Sequence, residues 1–243
     1  MKEIVKHIIV GIVVALVSVY LIAAAVWFSS RPKTTPCSAI EWDIRDLADC
    51  QYVTEEELNT LIRHTNLNPE NLPQEQVLTQ AIEACVQSHP MVRQAQCYIT
   101  RQGRVIVRLT QRQPLMGVRT ESASYYIDSD RLRMPLHSHE KADVIWAIGN
   151  VEEDLAKKEL ADIVVWLQDQ TRWEDRFERI DVQDKNNITL VDTTGLKIRI
   201  GDGSQFESKM HKLHVFETQM AKVEGKEYKE LDLRYKNQVI GKE

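Results

Sequence analysis

The chain contains one long uncharged segment, followed by segments whose apolar residues recur at regular spacing. No charged side chain occurs between Ile8 and Phe28. At about 1.5 Å per residue, a helix of this length matches the roughly 30 Å thickness of a hydrocarbon core. The pattern predicts a transmembrane helix over residues 8–28, within an N-terminal unit of residues 1–30. A cleaved signal peptide is the alternative, because Ala23–Ala25 supplies small residues for cleavage, but its apolar core is usually shorter.

The following residues predict a linker and then the start of a small mixed domain. Residues 31–36 contain two prolines and predict the linker. Apolar and polar side chains alternate over residues 40–44, which is the period of a half-buried strand. Thr54 and Glu57 have the spacing of a capping box and predict a helix start. A second helix is expected after Pro73, because apolar residues recur there at helical spacing.

Two more strands are predicted on either side of Gln102-Gly103, where alternation resumes. The element order is then strand, helix, helix, strand, strand. We expect the two helices to cover one face of a three-stranded sheet, which gives an α+β domain over residues 37–118.

Residues 119–243 predict a second α+β domain that is rich in strands. Strands are expected at Tyr125–Asp128 and Asp143–Ile148, a helix at about residues 154–170, and a meander of three strands between residues 177 and 200. A long helix comes next.

The last apolar alternation predicts a terminal edge strand. It runs through Leu231–Lys236 and continues with Val239 and Ile240, after a helix that begins near Ser204. The edge of a sheet has unpaired N–H and C=O groups and can accept a strand from another chain. This edge is therefore a candidate binding surface.

Charge and cysteine content exclude some classes of function. The chain has 31 Lys and Arg against 36 Asp and Glu, a net charge of −5. An acidic protein has no electrostatic reason to bind nucleic acid. The four cysteines are Cys37, Cys50, Cys85 and Cys97. Disulfides and buried thiols both remain open for them, whereas the absence of a CxxC pair disfavours redox or zinc chemistry.

Motifs with possible chemistry are better explained as structure. His137 and His139 near Asp128 have metal-ligand side chains, but a pair two residues apart in a polar loop is usually solvent-facing. His211 and His214 lack the glutamate of an HExxH site. The Gly201–Gly203 turn lacks the lysine and third glycine of phosphate-binding loops. We therefore predict no catalytic residue, no metal, no cofactor and no small-molecule substrate.

Five motifs, taken in order, resemble those of a known family. They are His89–Ala95, Arg112–Leu115, Tyr126–Asp128, Ile200–Gly203 and Leu231–Tyr235. With the apolar N-terminal segment and the strand, helix, helix, strand, strand order, they are similar to the bacterial cell-division protein family FtsQ/DivIB, whose first domain is a POTRA domain. The resemblance covers nearly the whole chain.

The resemblance implies a non-enzymatic scaffold of the cell-division machinery, the divisome. Its partners would be FtsB/DivIC and FtsL-type proteins at the septum, and an FtsB-type partner would add a strand to the terminal strand of the second domain. The implied location is the inner membrane at the division site, with a cytoplasmic N-terminus and the bulk of the chain outside the cytoplasm. The implied partner-binding residues are Leu231, Leu233, Arg234, Tyr235, Asn237 and Val239.

Two other functions are alternatives. One is a POTRA-containing periplasmic chaperone or translocation accessory, which would pass clients along the sheet edge. The other is a membrane-anchored hydrolase that holds a metal with Asp128, His137 and His139.

Overall fold

The chain begins with a long helix. The computed structural model describes residues 2–29, 36–45, 51–137, 142–220, 228–236 and 238–243, with side chains of the first helix given for residues 12–27. This helix, α1, spans Lys2–Ser29. A membrane span needs about 20 consecutive apolar residues in one helix, and among the residues so described no helix is long and apolar enough to cross a membrane. The predicted transmembrane helix at residues 8–28 is therefore wrong on this structure.

The first domain has the predicted order of elements. The predicted linker, residues 31–36, lies outside the described residues except for Pro36. The elements are β1 (Ile40–Arg45), α2 (Glu55–His64), α3 (Thr79–Gln87), β2 (Val92–Ile99) and β3 (Val105–Gln111).

The helix starts follow from local hydrogen bonds. The Glu57 N–H donates to Thr54 Oγ1 at 3.2 Å, and the Thr54 N–H donates to the Glu57 carboxylate at 3.1 Å. This reciprocal pair is the predicted capping box, which satisfies two N–H groups that would otherwise be unpaired. α3 begins at Thr79, later than predicted, since a separate 3-10 turn at Gln74–Gln76 follows Pro73.

Within the described residues, the first sheet has three strands in the order β1-β3-β2. β1 runs parallel to β3, and β2 runs antiparallel to it. The two helices pack over one face, as predicted. Their buried side chains, together with those of the sheet, include Leu58, Ile62, Ile82, Val86, Ala95, Val105, Val107 and Leu109.

The second domain is built on a larger sheet. Its elements are β4 (Pro114–Arg119), β5 (Ser124–Asp128), β6 (Arg133–Met134), β7 (Trp146–Gly149), α4 (Glu153–Leu155), a π-helical segment (Ala156–Leu160), α5 (Ala161–Gln168), β8 (Phe177–Asp184), β9 (Asn187–Asp192), β10 (Lys197–Gly201), α6 (Phe206–Met220), β11 (Glu230–Asp232) and β12 (Ile240–Lys242). Over the described residues the sheet order is β12-β11-β10-β9-β8-β7-β4-β5-β6.

α5 and α6 supply the helical half of the second core. Their buried apolar side chains cluster with those of the strands, and removing this apolar surface from water is the main force that holds the layers together. The cluster includes Ile163, Val164, Leu167, Met210 and Leu213 from the helices, and Ile180, Leu190, Ile198 and Leu231 from the sheet.

The two sheets are joined by a shared apolar core and by an ion pair. Tyr126 and Met134 of the large sheet belong to the core of the first domain. The Asp128 carboxylate accepts from Arg112 Nη1 at 2.6 Å and is 1% exposed. β3 ends at Gln111 and β4 begins three residues later, so the change of sheet occurs between them. The predicted domain boundary at residue 118 falls inside β4.

The strands differ from the predictions at three places, of which the two-residue β6 is the first, since no strand was predicted there. β4 was not predicted, because the stretch after Gln113 was interpreted as the end of the first domain. The terminal stretch is not one strand but two, β11 and β12, joined by a turn.

The described cysteines are free thiols. Cys37 and Cys97 are buried, and Cys85 is half-buried. Cys50 lies outside the described residues. Burial raises the pKa of the Cys37 thiol.

Candidate functional site: the terminal edge of the large sheet

The last strand lies at the rim of the large sheet. Among the described strands β12 pairs only with β11, with Leu231 opposite Gly241 and Asp232 opposite Ile240. β11 pairs on its other side with β10, in parallel. The free rim therefore belongs to residues 240–242, and residues 230–232 lie one strand further in.

The hydrogen bonds of β11 establish which of its backbone groups face β10. The Lys197 N–H donates to Lys229 O at 3.1 Å. The Leu233 N–H donates to Arg199 O at 2.9 Å. Because successive residues of a strand direct their backbone groups to opposite sides, Leu231 and Leu233 face β10, as does the C=O of Lys229. The Lys229 N–H, at the start of the strand, instead donates to Lys242 O of β12 at 2.8 Å.

Gly241 consequently carries open backbone groups. Glu230 and Asp232 face away from β10, and they pair with Lys242 and Ile240 of β12. Gly241 lies between these two partners, so its N–H and C=O point away from β11. In the part of the chain that is described, no further strand pairs with β12 on that side. With respect to the described residues, one donor and one acceptor are available there.

Gly241 lies against an aromatic ring. A Cβ at this position would come within 2.4 Å of the Tyr228 ring. The Tyr228 ring contacts Phe216 of α6, with ring centroids 5.7 Å apart. A side chain at residue 241 would lift β12 off this support, so the close approach of backbone and ring requires glycine.

Three of the predicted partner-binding residues pack into the protein's own core. Leu231 and Leu233 are 2% and 0% exposed. Val239 is partly buried against the same core. The two leucines hold the strands in place, while Val239 keeps part of its surface exposed. Asn237 lies outside the described residues.

The other two, Arg234 and Tyr235, lie in the turn between β11 and β12. Tyr235 is 45% exposed. Arg234 Nε and Nη2 donate to the two Asp232 carboxylate oxygens at 2.9 Å and 2.7 Å. This bidentate pair with the guanidinium lowers the pKa of Asp232. Arg234 therefore shapes the turn, while Tyr235 presents an aromatic surface beside it.

Lys212 of α6 fastens the same turn. Its Nζ donates to Leu233 O at 2.8 Å and to Tyr235 O at 2.6 Å. Burial lowers the pKa of Lys212, and the nearby Lys209 lowers it further. The ammonium thus connects the long helix to the chain segment that leads into β12.

Sequence reasoning missed Lys212, Tyr228 and Gly241 as parts of this edge. Each contributes through a contact that depends on how α6 and the last strands come together. A lysine on a helix and a glycine near the C-terminus carry no local signal for such a role. The available signal was the Leu-Arg-Tyr motif at residues 233–235, which lies in the turn next to the edge.

The candidate metal-binding residues are engaged elsewhere. Asp128 accepts from Arg112 and from the Leu132 N–H, the latter at 2.7 Å. The His137 ring contacts Tyr52 edge-on, with centroids 6.1 Å apart. His139 lies outside the described residues. Across the described ranges, no three His, Cys, Asp or Glu side chains lie close enough to hold a metal ion.

The other two motifs also have internal partners. The Gly203 N–H donates to Glu159 of the π-helical segment. Lys209 Nζ donates to Asp202 O and Oδ1, each at 2.9 Å. On α6, His214 Nδ1 contacts Arg172. The Gly203 N–H and the Lys209 ammonium, which could otherwise bind a phosphate, are therefore engaged by groups of this chain.

Comparison with known proteins identifies both domains. A family model described as "POTRA-like domain" matches residues 35–110. A second, described as "FtsQ/DivIB, C-terminal related", matches residues 113–242. A search of curated proteins gives no match. Because the second model covers more than half of the chain, this protein belongs to the FtsQ/DivIB family of cell-division proteins.

Proposed function

We propose that this protein is a non-enzymatic divisome scaffold that binds an FtsB/DivIC-type partner by strand addition to β12. Family membership supports the role in cell division. In this proposal the partner's strand becomes the next strand of the large sheet. FtsL-type proteins are recruited to the same assembly at the division site.

The observation that carries the proposal is the open rim at Gly241. Its outward N–H and C=O can exchange two hydrogen bonds with an added strand. Each such bond contributes only about 0.5 to 1.5 kcal/mol, so side-chain contacts must add to the affinity. Exposed apolar surface is available nearby, because Ile240 is 40% and Tyr235 45% exposed.

Three charged side chains beside the rim pair with one another. Glu230 accepts from Lys242 Nζ at 3.0 Å and from Arg199 Nε at 3.2 Å. These three charges are satisfied within the chain, so an incoming strand does not have to neutralise them. This agrees with binding by strand addition, in which main-chain bonds supply affinity and side-chain pockets supply specificity.

Amide hydrogen exchange on the full chain tests this mechanism. Binding of the FtsB-type protein should slow exchange at the Gly241 amide, which faces outward. The amides of Ile240 and Lys242 face β11 and should change much less. Equal protection of all three, or none at Gly241, would contradict strand addition at β12.

Two substitutions at one position provide a matched pair. Gly241→Ala and Gly241→Pro both place a carbon against Tyr228, but only proline removes the outward N–H. We expect Gly241→Pro to bind the FtsB-type protein more weakly than Gly241→Ala does, as measured by isothermal titration calorimetry. If the two variants bind equally well, the Gly241 N–H does not pair with the partner.

A further inference from the structure

A cleft in the second domain has features of a separate docking surface. It has a volume of about 360 Å³ and lies where β7 and β8 begin, beside the end of α5. A volume of this size falls at the lower end of typical ligand pockets.

The floor of the cleft is apolar and aromatic. Trp173, Phe177 and Leu167 form it, and each is less than 5% exposed. Trp173 and Phe177 stack with ring centroids 6.1 Å apart. The half-buried Val144 and Trp146 form the opposite wall. Long aliphatic stems can pack on such a surface.

The rim of the cleft is acidic. Asp143, Glu174, Asp175 and Glu178 line it, and all four are exposed. Among the described residues none of the four forms an ion pair, and the lining contains no Lys, Arg or His. No described cation therefore neutralises their negative charges at short range.

Two arginines contact the Trp173 ring: the guanidinium of Arg176 lies 4.8 Å and that of Arg172 lies 6.0 Å from the ring centroid. Arg176 pairs with the Glu217 carboxylate of α6, and Arg172 contacts His214 of the same helix. Among the described residues neither arginine forms an ion pair with the four carboxylates of the rim, so these carboxylates are open to an external cation.

The arrangement does not suit a metal ion. Over the residues described, no group of three acidic, histidine or cysteine side chains could hold one. The carboxylates surround the cleft without converging on one point. Cations that fit an apolar floor and a dispersed acidic rim are lysine and arginine side chains, whose stems are apolar and whose ends are charged.

We propose that this cleft docks a basic segment of a partner protein, with Lys or Arg side chains alternating with apolar residues. The stems pack on the half-buried Val144 and Trp146, and the charged ends face the four carboxylates. The surface is distinct from the β12 edge. Four strand spacings separate β12 from β8, about 19 Å at 4.8 Å per strand, so both surfaces can be occupied together.

Neutralising the rim tests the proposal. The probe is a fluorescently labelled ten-residue peptide of alternating Lys and Val, titrated into the full chain and followed by anisotropy. The test variant is Glu174→Gln, Asp175→Asn and Glu178→Gln combined. Asn is chosen at residue 175 because this residue has a positive φ of 56°, which Asn tolerates. We expect about tenfold weaker binding for the variant.

A second triple variant controls for net charge. Glu75→Gln, Glu121→Gln and Glu207→Gln remove the same three charges from exposed positions away from the cleft. This control should bind the peptide like the unmodified chain. Equal weakening of the two variants, no binding to the unmodified chain, or equal binding of a Glu and Val peptide would each overturn the proposal. Binding of the FtsB-type protein at β12 should be the same in all three proteins, so the two proposals fail separately.

Discussion

The outer edges of β2 and β12 differ in whether an outward backbone group has a partner within the chain. β2 is eight residues long, and the Cys97 N–H that faces away from β3 donates to Glu83 Oε1 of α3 at 2.7 Å. β12 is three residues long, and the outward groups of Gly241 have no partner among the described residues. Unpaired edges promote unwanted association. The chain thus satisfies one outward N–H of the long edge with its own side chain, whereas the short edge has no such partner among the described residues.

The covered edge also has a chemical consequence. Burial raises the pKa of the Cys97 thiol to about 11, and the negative charge of Glu83 adds to this shift. A thiol with such a pKa is protonated at neutral pH and is a poor nucleophile. Burial is therefore the main reason that Cys97 is unreactive, and the glutamate that accepts its N–H adds to the effect.

The largest expected effect concerns the buried ion pair of Asp128 with Arg112. Asp128→Ala removes the buried partner of Arg112 and the acceptor for the Leu132 N–H. Breaking a buried ion pair costs about 3 kcal/mol or more, and we expect a loss of that size in the free energy of unfolding, measured with urea.

Asp130→Ala is the matched control for this prediction. Asp130 lies on the same turn and accepts two hydrogen bonds from Arg93, but its side chain is 36% exposed and that of Arg93 is 52% exposed. An exposed pair contributes less than about 1 kcal/mol. Equal losses for the two variants would show that burial at Asp128 is not the reason for its importance.

The second prediction concerns the covered edge. Glu83→Ala leaves the Cys97 N–H without its acceptor, which costs about 1 to 2 kcal/mol in the free energy of unfolding. It also exposes β2, so sedimentation should detect more self-association at high concentration. Glu83→Gln keeps an acceptor oxygen and should behave more like the unmodified chain. If the Cys97 amide exchanges equally slowly in Glu83→Ala, the covering role of Glu83 is wrong.

The sequence predicted those parts of the fold that depend on neighbouring residues. The capping box at Thr54 and the meander between residues 177 and 200 are examples, because each pattern is complete within a few residues. β4 was missed because Pro114 resembles the end of a strand, whereas proline is also tolerated as the first residue of one. The apolar run at residues 8–28 predicted a membrane span that the described residues do not contain.

The candidate site was predictable in kind but not in detail. An edge at the end of the chain was expected from alternation and from the Leu-Arg-Tyr motif. The division of that stretch into β11 and β12 depends on Lys212, which precedes Leu233 by 21 residues. Likewise, the support of Gly241 by Tyr228 is a contact between separate segments. Such tertiary contacts leave no periodic trace in a single sequence.

The third prediction tests whether the open edge needs its support from α6. Lys212→Met keeps the apolar stem but loses both hydrogen bonds to the turn, so we expect about 1 kcal/mol lower stability. Amides of residues 233–236 should exchange faster, and the FtsB-type protein should bind more weakly. Lys209→Met, which loses only bonds to Asp202, is the control and should leave exchange in the turn unchanged.

The smallest expected effect is a pH dependence confined to the first domain. Burial lowers the pKa of His89, although the carboxylate of Glu57 opposes the shift and His137 adds to it. The neutral ring also accepts the Met91 N–H at 3.3 Å through Nδ1. The unfolded chain, whose histidine pKa is about 6.5, therefore binds more protons than the folded chain. Its stability should fall modestly as the pH drops below about 6.5 towards the lower folded pKa.

His89→Gln should reduce this pH slope, measured as the free energy of unfolding in urea between pH 7.5 and pH 5.5. His211→Gln on the exposed surface of α6 is the matched control and should retain the slope of the unmodified chain. Because His89 lies between α3 and β2, exchange in the first domain should increase on acidification while the β12 edge stays unchanged. If the pH slope persists in His89→Gln, another titratable group causes the sensitivity. If amide exchange on acidification increases first at β12, the sensitivity lies in the large sheet.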